Sequence, residues 1–397
     1  MFDLEVAQKY LSENNLNGWL LYDFQGINSL AHKVLGIKPN ATRRYYLFIS
    51  PNSEPKLILS SIDKMQFSFC NFQKLYFSTL NDMTNILREL LSKCQNILMD
   101  YSQNCNIPQM SKVDFGTVEY IKSLCNCNIY SSADLFQLAV AKWKDISLNK
   151  NLEAANLVSK IKDEAFLYIF ESIKSNSTVS EYQVQQFIMS KFKENNLLTE
   201  DVPIVAINKN SSDPHYEPSA MIHDNIKRGD WILIDLWAKF QDVDAVFSDI
   251  TWVGFCGEYE EIPSEFIEIF EIVKKARDNT VNFLEQNWKN QPEGWEIDKI
   301  ARDTIASSGY GKYFIHRTGH SIAPGDILHA MSVNLDGYEM LDTRKILPGL
   351  GFSIEPGIYL EKFGVRLEIN VYIHPENGPI VTTPVQDQII TFATYDK

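Results

Sequence analysis

The chain has 397 residues, of which 45% are hydrophobic and 12% aromatic, which excludes a disordered or fibrous chain and allows more than one core. Its formal net charge of −14 argues against a nucleic-acid partner, because phosphate contacts call for a basic face. Six cysteines lie at 70, 94, 105, 125, 127 and 256, and the one close pair lacks zinc-knuckle spacing, so reduced thiols of a cytoplasmic protein are expected.

Asp3 to Glu13 has helical apolar spacing, and GWLLYDF (18–24) reads as a buried strand. With no basic region followed by an apolar run, this start does not read as a signal peptide. No apolar stretch reaches the roughly 18 residues that span a bilayer, so no membrane partner is expected. Further strands are predicted at 44–50, 56–60 and 96–101, with helices at 79–93 and 112–124. Together they predict an α/β domain over residues 1–145.

The pattern then changes. A long amphipathic helix is predicted at about 147–175, followed by a second that opens at Thr178 with Glu181 as a capping box. Strands at 202–207 and 231–237 come next. After Pro263 and Ser264 a long helix runs to Trp288, a shorter one runs from Trp295 to Ser307, and strands follow again. Helix, helix, strands, given twice, predicts an α+β domain over 146–397 whose two related halves face each other across a shared site.

Four acidic residues interrupt segments that otherwise read as buried strands: Asp235 in ILIDLWAKF, Asp249 in VFSDITWVGF, Glu355 in FSIEPGIYL and Glu368 in GVRLEINVYI. A carboxylate is costly to desolvate unless it is paired or bound to a cation. Nearby bases are few, with Arg366 expected beside Glu368 and Lys239 at a strand end. Asp235 and Asp249 flank the turn-like KFQDVDA, and Glu355 and Glu368 flank a turn near Glu361 and Lys362. Symmetric pairing would set the members of each pair face to face. Four hard oxygen donors so arranged need divalent cations, and HRTGH (316–320) supplies imidazole at His316 and His320, with His329 downstream. His223 and His374, in polar surroundings, read as surface residues, and AFLYIF (165–170) reads as core.

At these residues the sequence resembles the pita-bread metallopeptidases, the family of aminopeptidase P, prolidase and methionine aminopeptidase, which shows the ligand order Asp, Asp, His, Glu, Glu. The resemblance rests on LIDLWAK, SDITWVGF, FSIEPGIY and GVRLE in combination. It implies a pita-bread catalytic domain with a pseudo-twofold repeat over 146–397. Residues 1–145 look like the N-terminal domain of the creatinase, prolidase and aminopeptidase P branch.

The resemblance further implies two divalent metal ions, Mn²⁺ first, with Zn²⁺ or Co²⁺ as alternatives. Asp235 would chelate one, Asp249 and Glu368 would bridge both, and His320 and Glu355 would hold the other. Glu355 would move the proton; His215 in DPHYEP, His316 and His329 would line the pocket as catalytic groups; and His215, His316 and Arg366 would contact the substrate. That substrate would be a small peptide with proline in second position, cleaved by a cytoplasmic homodimer acting as an Xaa-Pro aminopeptidase. The alternatives are a prolidase restricted to Xaa-Pro dipeptides, a catalytically inactive pita-bread binding module, or a metal-free creatinase-like hydrolase. The sequence departs from the family at Ala323, where glycine is usual, and in APGD (323–326), an extra turn between His320 and His329. The gap between the two aspartates is also longer than is usual in the wider family. None of these departures removes a metal ligand.

Overall fold

The computed structural model describes residues 2–325 and 327–395. The chain divides into two compact units, Met1–Lys142 and Trp143–Lys397. No helix among the described residues is long and apolar enough to cross a membrane.

The first unit is one six-stranded mixed sheet. Its strands are β1 (Gly18–Asp23), β2 (Tyr45–Ile49), β3 (Lys56–Ser60), β4 (Gln73–Phe77), β5 (Asn96–Met99) and β6 (Asn128–Ser131), in the order β4-β3-β2-β1-β5-β6. All six residues of β1 are buried, as its unbroken apolar run predicts for an inner strand. Helices α1 (Leu4–Glu13), α2 (Ser29–Leu35), α3 (Leu80–Leu91), α4 (Phe115–Leu124) and α5 (Ala133–Val140) complete it.

Sequence patterning missed two of these helices, α2 and α5, which span about two turns, and two of the strands, β4 and β6, which lie at the sheet edges and leave most of their residues at least partly exposed, so that no apolar run marks them. Helix α2 is set by chemistry more than by periodicity. The buried Asp23 accepts the Asn28 N–H at 2.7 Å, and the Asn28 side chain then caps the N–H groups of Leu30 and Ala31. Cys125 and Cys127, expected as separate thiols, bring their sulfurs together across one residue.

The second unit begins with α6 (Asp145–Lys174) and α7 (Glu181–Glu194). The box that opens α7 is formed by Ser180 and Gln183, two residues beyond the expected Thr178 and Glu181. Glu181 is instead buried, and its carboxylate accepts the N–H groups of Ile207 and Asp224 and the hydroxyl of Tyr216. The short strands β7 (Val179–Ser180) and β10 (Asn225–Ile226) pair with each other. The central hairpin is β11 (Trp231–Phe240) with β12 (Ser248–Phe255), and the other edge of β11 takes β8 (Leu197–Leu198) and β9 (Ile204–Ile207).

Helices α8 (Ser264–Asn287) and α9 (Gly294–Ser307) repeat the helix pair. A second sheet follows, made of β13 (Ser321–Ile322), β14 (Gly351–Ile354), β17 (Ile369–His374) and β18 (Gly378–Val381) in the order β13-β14-β17-β18. Between its strands lies the ribbon β15 (Gly357–Tyr359) and β16 (Gly364–Arg366). Phe166, Ile169 and Phe170 of AFLYIF pack into a core with Ile232, Ile234 and Ile250 of the central hairpin.

Candidate metal centre and its cleft

The hairpin β11–β12 places Asp235 opposite Thr251 and Asp249 opposite Trp237, a two-residue offset from the face-to-face pairing expected. Both carboxylates still fall on one face, as diagonal neighbours, because side chains alternate with period two. In the second pair the symmetric expectation holds. Ile354 pairs with Ile369 and Gly357 with Arg366, so the same register carries Glu355 opposite Glu368 across a break between the two ladders. The break has a cause: the Glu355 N–H turns to the Thr318 carbonyl at 2.8 Å, and the Glu368 N–H to the Thr251 carbonyl at 3.2 Å. Asn370 ties the hairpins together, accepting the Asp249 N–H and donating to the Asp249 carbonyl, each at 2.9 Å.

His320 enters from a loop anchored by its neighbours. Its N–H donates to Ser353 Oγ at 2.9 Å, and the Ser353 hydroxyl donates to Glu355 Oε1 at 3.0 Å. Gly319 makes this approach possible, since a Cβ there would lie 2.0 Å from the Ser353 carbonyl oxygen. Gly319→Ala is therefore expected to cost about 1–3 kcal/mol, or roughly 3–10 °C in the melting temperature, by pushing the loop off β14. Thermal unfolding checks this, and an unchanged melting temperature would mean the loop yields freely.

Asp235, Asp249, His320, Glu368 and Arg366 are all buried, and with Glu355 they line one cleft of about 910 Å³. His320 Nε2 stands 3.2 Å from Asp249 Oδ2, 3.5 Å from Glu355 Oε1 and 4.0 Å from Glu368 Oε1. Burial, and then the charges of Asp235 and Glu355, raise Asp249 well above the usual carboxylate range. Burial, and then Asp249, does the same to Glu368. Glu355 is pushed up to about 7 by burial, against the pull of Arg366. Burial holds the His320 imidazole well below its usual pKa, so the ring is neutral.

A neutral ring has one N–H, and its nitrogens face different groups: Nδ1 the Ser321 carbonyl at 3.2 Å, Nε2 the Asp249 carboxyl at 3.2 Å. The Ser321 carbonyl can only accept, so Nδ1 carries the N–H and the Nε2 lone pair is turned towards the carboxyl groups. Asp235 Oδ1 and Glu368 Oε1 are also buried without a hydrogen-bond partner. One atom each of Asp249, His320 and Glu368 lie within 4.8 Å of one another. Convergent donor atoms, raised carboxyl pKa values and orphaned oxygens mark a cation site, and the oxygen-rich donor set with one imidazole suits divalent ions.

The remaining sequence-predicted residues divide. Arg366, expected beside Glu368, pairs with Asp235 and approaches Glu355 at 3.9 Å. It meets Glu368 only through Thr251, whose Oγ1 accepts from Arg366 Nε at 3.0 Å and donates to Glu368 at 2.9 Å. His316 has both nitrogens engaged, Nδ1 with the Arg317 carbonyl and Nε2 with the Tyr359 hydroxyl, each at 2.7 Å, and Tyr359 accepts from Arg366 Nη1 at 2.9 Å. Burial lowers the His316 pKa to about 3, so Nδ1 donates and Nε2 accepts.

His215 is exposed on the cleft rim. His329 stands with its ring centroid 4.1 Å from that of His320, so the extra turn leaves it beside the ligands. That turn is held where Leu328 N–H donates to Glu200 at 2.7 Å, and Asp326 alone of 323–328 lies outside the described residues. Sequence reading missed Thr251, Ser353, Tyr359 and Asn370, because ordinary strand residues carry no signal until the register is known. Lys239, taken as a strand-end base, is buried in β11.

Residues 153–375, more than half of the chain, match the sequence pattern of metallopeptidase family M24. The chain belongs to this family. As an M24 metallopeptidase it is an enzyme of the pita-bread fold, and divalent metal ions belong to its chemistry. It is similar to the Xaa-Pro dipeptidase of Pyrococcus furiosus, 25% identical over 394 residues that cover 98% of this chain and 99% of that protein. Among solved structures, dipeptidase PepE from Mycobacterium ulcerans superposes with a TM-score of 0.69 at 17% identity, over 98% of this M24 chain and 96% of the other. X-prolyl aminopeptidase from Caenorhabditis elegans, described as a cytosolic enzyme with a di-nuclear active site, gives 0.64 at 17% identity, over 98% and 62%. At those identities the two structures establish the fold alone.

Proposed function

We propose that this M24 enzyme hydrolyses the bond between an N-terminal residue and a following proline, using two divalent metal ions, with Mn²⁺ the first candidate and Zn²⁺ or Co²⁺ next. The observation that carries the reading is the convergence of Asp249, His320 and Glu368, with Asp235 and Glu355 beside them, in one cleft of an M24 fold. Similarity over nearly the full chain to a protein named Xaa-Pro dipeptidase supports the substrate class. The same similarity favours dipeptides as the second reading beside the aminopeptidase one.

Asp235, Asp249, His320, Glu355 and Glu368 would hold the ions. When bound, divalent cations supply charge that stabilises a developing oxyanion and makes water acidic enough to attack at neutral pH. The chain's own residues supply the rest. Glu355, whose carboxyl group lines the cleft, would take a proton from water and return it to the leaving proline nitrogen, which has none of its own. Ser353 fixes its orientation. His329, kept neutral by desolvation and then by Arg317, would donate a hydrogen bond to the oxyanion, and His215 lines the same space. Arg366 neutralises part of the negative charge at Asp235, and through Tyr359 it fixes the His316 ring as part of the substrate-side wall.

The direct test is metal content, together with hydrolysis of Xaa-Pro dipeptides against Xaa-Pro-Xaa tripeptides under added Mn²⁺, Co²⁺ or Zn²⁺. Turnover of Xaa-Pro bonds with near-stoichiometric metal is expected; no metal and no turnover would point to a binding module. His329→Ala is expected to lower kcat by about 100-fold while metal content holds. An unchanged rate would remove that residue from the oxyanion role.

A further inference from the structure

Two arginines face the cleft among the described residues. Arg366 is committed to Asp235, Tyr359 and Thr251. Arg317 differs. Its backbone N–H donates to Glu339 Oε1 at 3.1 Å, but its guanidinium has no hydrogen bond or ion pair to any described residue. The other charged groups on the rim, Glu200, Asp201, Glu217 and Glu339, are acidic.

Its backbone is fixed on both sides. The Arg317 carbonyl accepts from His316 Nδ1, and the Thr318 N–H and hydroxyl both donate to Asp298 Oδ1, at 2.9 and 2.7 Å. The side chain is therefore carried on a rigid base into the cleft. A guanidinium presents a planar fork of N–H donors that matches a carboxylate, and here that fork has no acceptor among the described residues.

We propose that Arg317 is the receptor for a carboxylate of the substrate and so a determinant of which peptides are cleaved. The proposal rests on the Xaa-Pro reading. An Xaa-Pro dipeptide carries a free carboxylate one residue beyond the scissile bond, where a longer peptide has an uncharged amide. An acidic N-terminal side chain is the other source of the same chemistry.

The test compares the metal-loaded full-length enzyme with R317Q on Ala-Pro, Ala-Pro amide and Glu-Pro. A charge-assisted, forked hydrogen bond is worth about 10- to 100-fold. If the C-terminal carboxylate is received, wild type prefers Ala-Pro over the amide by about that factor, and R317Q loses most of the preference through KM. If the acidic side chain is received, the ratio of Glu-Pro to Ala-Pro falls instead. Ratios taken within one variant do not depend on how much of it folds. R317K, which keeps the charge without the fork, is expected to lie between wild type and R317Q. Both ratios unchanged in R317Q, or in R317K should R317Q not fold, would overturn the proposal. If wild type cleaves none of these peptides, the Xaa-Pro reading fails separately. The receptor is then read by calorimetry with N-acetylproline against N-acetylproline amide, and equal affinity for the two would overturn it.

Discussion

Asp249→Ala is expected to lower hydrolysis by about three orders of magnitude or more, and to remove near-stoichiometric metal. Bound ions contribute several kcal/mol to transition-state stabilisation, and each 1.4 kcal/mol is about tenfold in rate. Asp249 is the group His320 Nε2 approaches most closely in the cluster, and its backbone is locked to Asn370, so its carboxyl group is held at the centre of the ligand set.

The same substitution should act in the opposite direction on the stability of the metal-free protein. There Asp249 is a buried carboxyl beside Asp235, Glu355 and Glu368, and its raised pKa is the sign that ionising it is costly. Without metal the alanine variant is expected to melt no lower than wild type. With saturating Mn²⁺ wild type should melt higher. Parallel thermal unfolding of both proteins, with chelator and with metal, checks the reversal. A variant less stable under both conditions would mean that Asp249 serves the fold and not a cation.

Metal affinity is expected to rise by up to about tenfold per pH unit from pH 5.5 to 7. In the metal-free protein burial pushes Glu355 up to about 7, so below that pH it holds a proton that binding must expel, and burial shifts Asp249 and Glu368 in the same direction. The buried imidazoles of His320 and His316 have shifted the other way and are already neutral, so they release none in this window. Raised carboxyl values therefore set the sign: affinity falls as pH drops. Calorimetry in buffers of different ionisation enthalpy counts the protons directly. An affinity flat over this range, with no protons released, would refute the assigned ligand set.

Much of this was legible because desolvated charge is conspicuous. Asp235, Asp249, Glu355 and Glu368 stood out as carboxylates inside apolar runs, and the structure brings all four into one cleft with His320. What the sequence concealed was pairing. Register decides that Asp235 faces Thr251 and not Asp249, and that Arg366 reaches across to Asp235 instead of along its own strand to Glu368. A one-dimensional pattern contains the period of a strand but not its offset against a partner. The buried roles of Thr251, Tyr359 and Asn370 were hidden for the same reason. Short elements such as α2 were hidden because a capping network, and not periodicity, defines them.

The clasp between Asp249 and Asn370 spans 121 positions of sequence. A nascent chain therefore cannot complete the centre until nearly the whole second unit has been made, however early β11 and β12 pair. Loop closure over such a distance is slow compared with forming a local hairpin, so the centre belongs to the last stage of assembly. A cation that needs both hairpins binds the finished unit and not its precursors, and so pulls the final docking step towards completion.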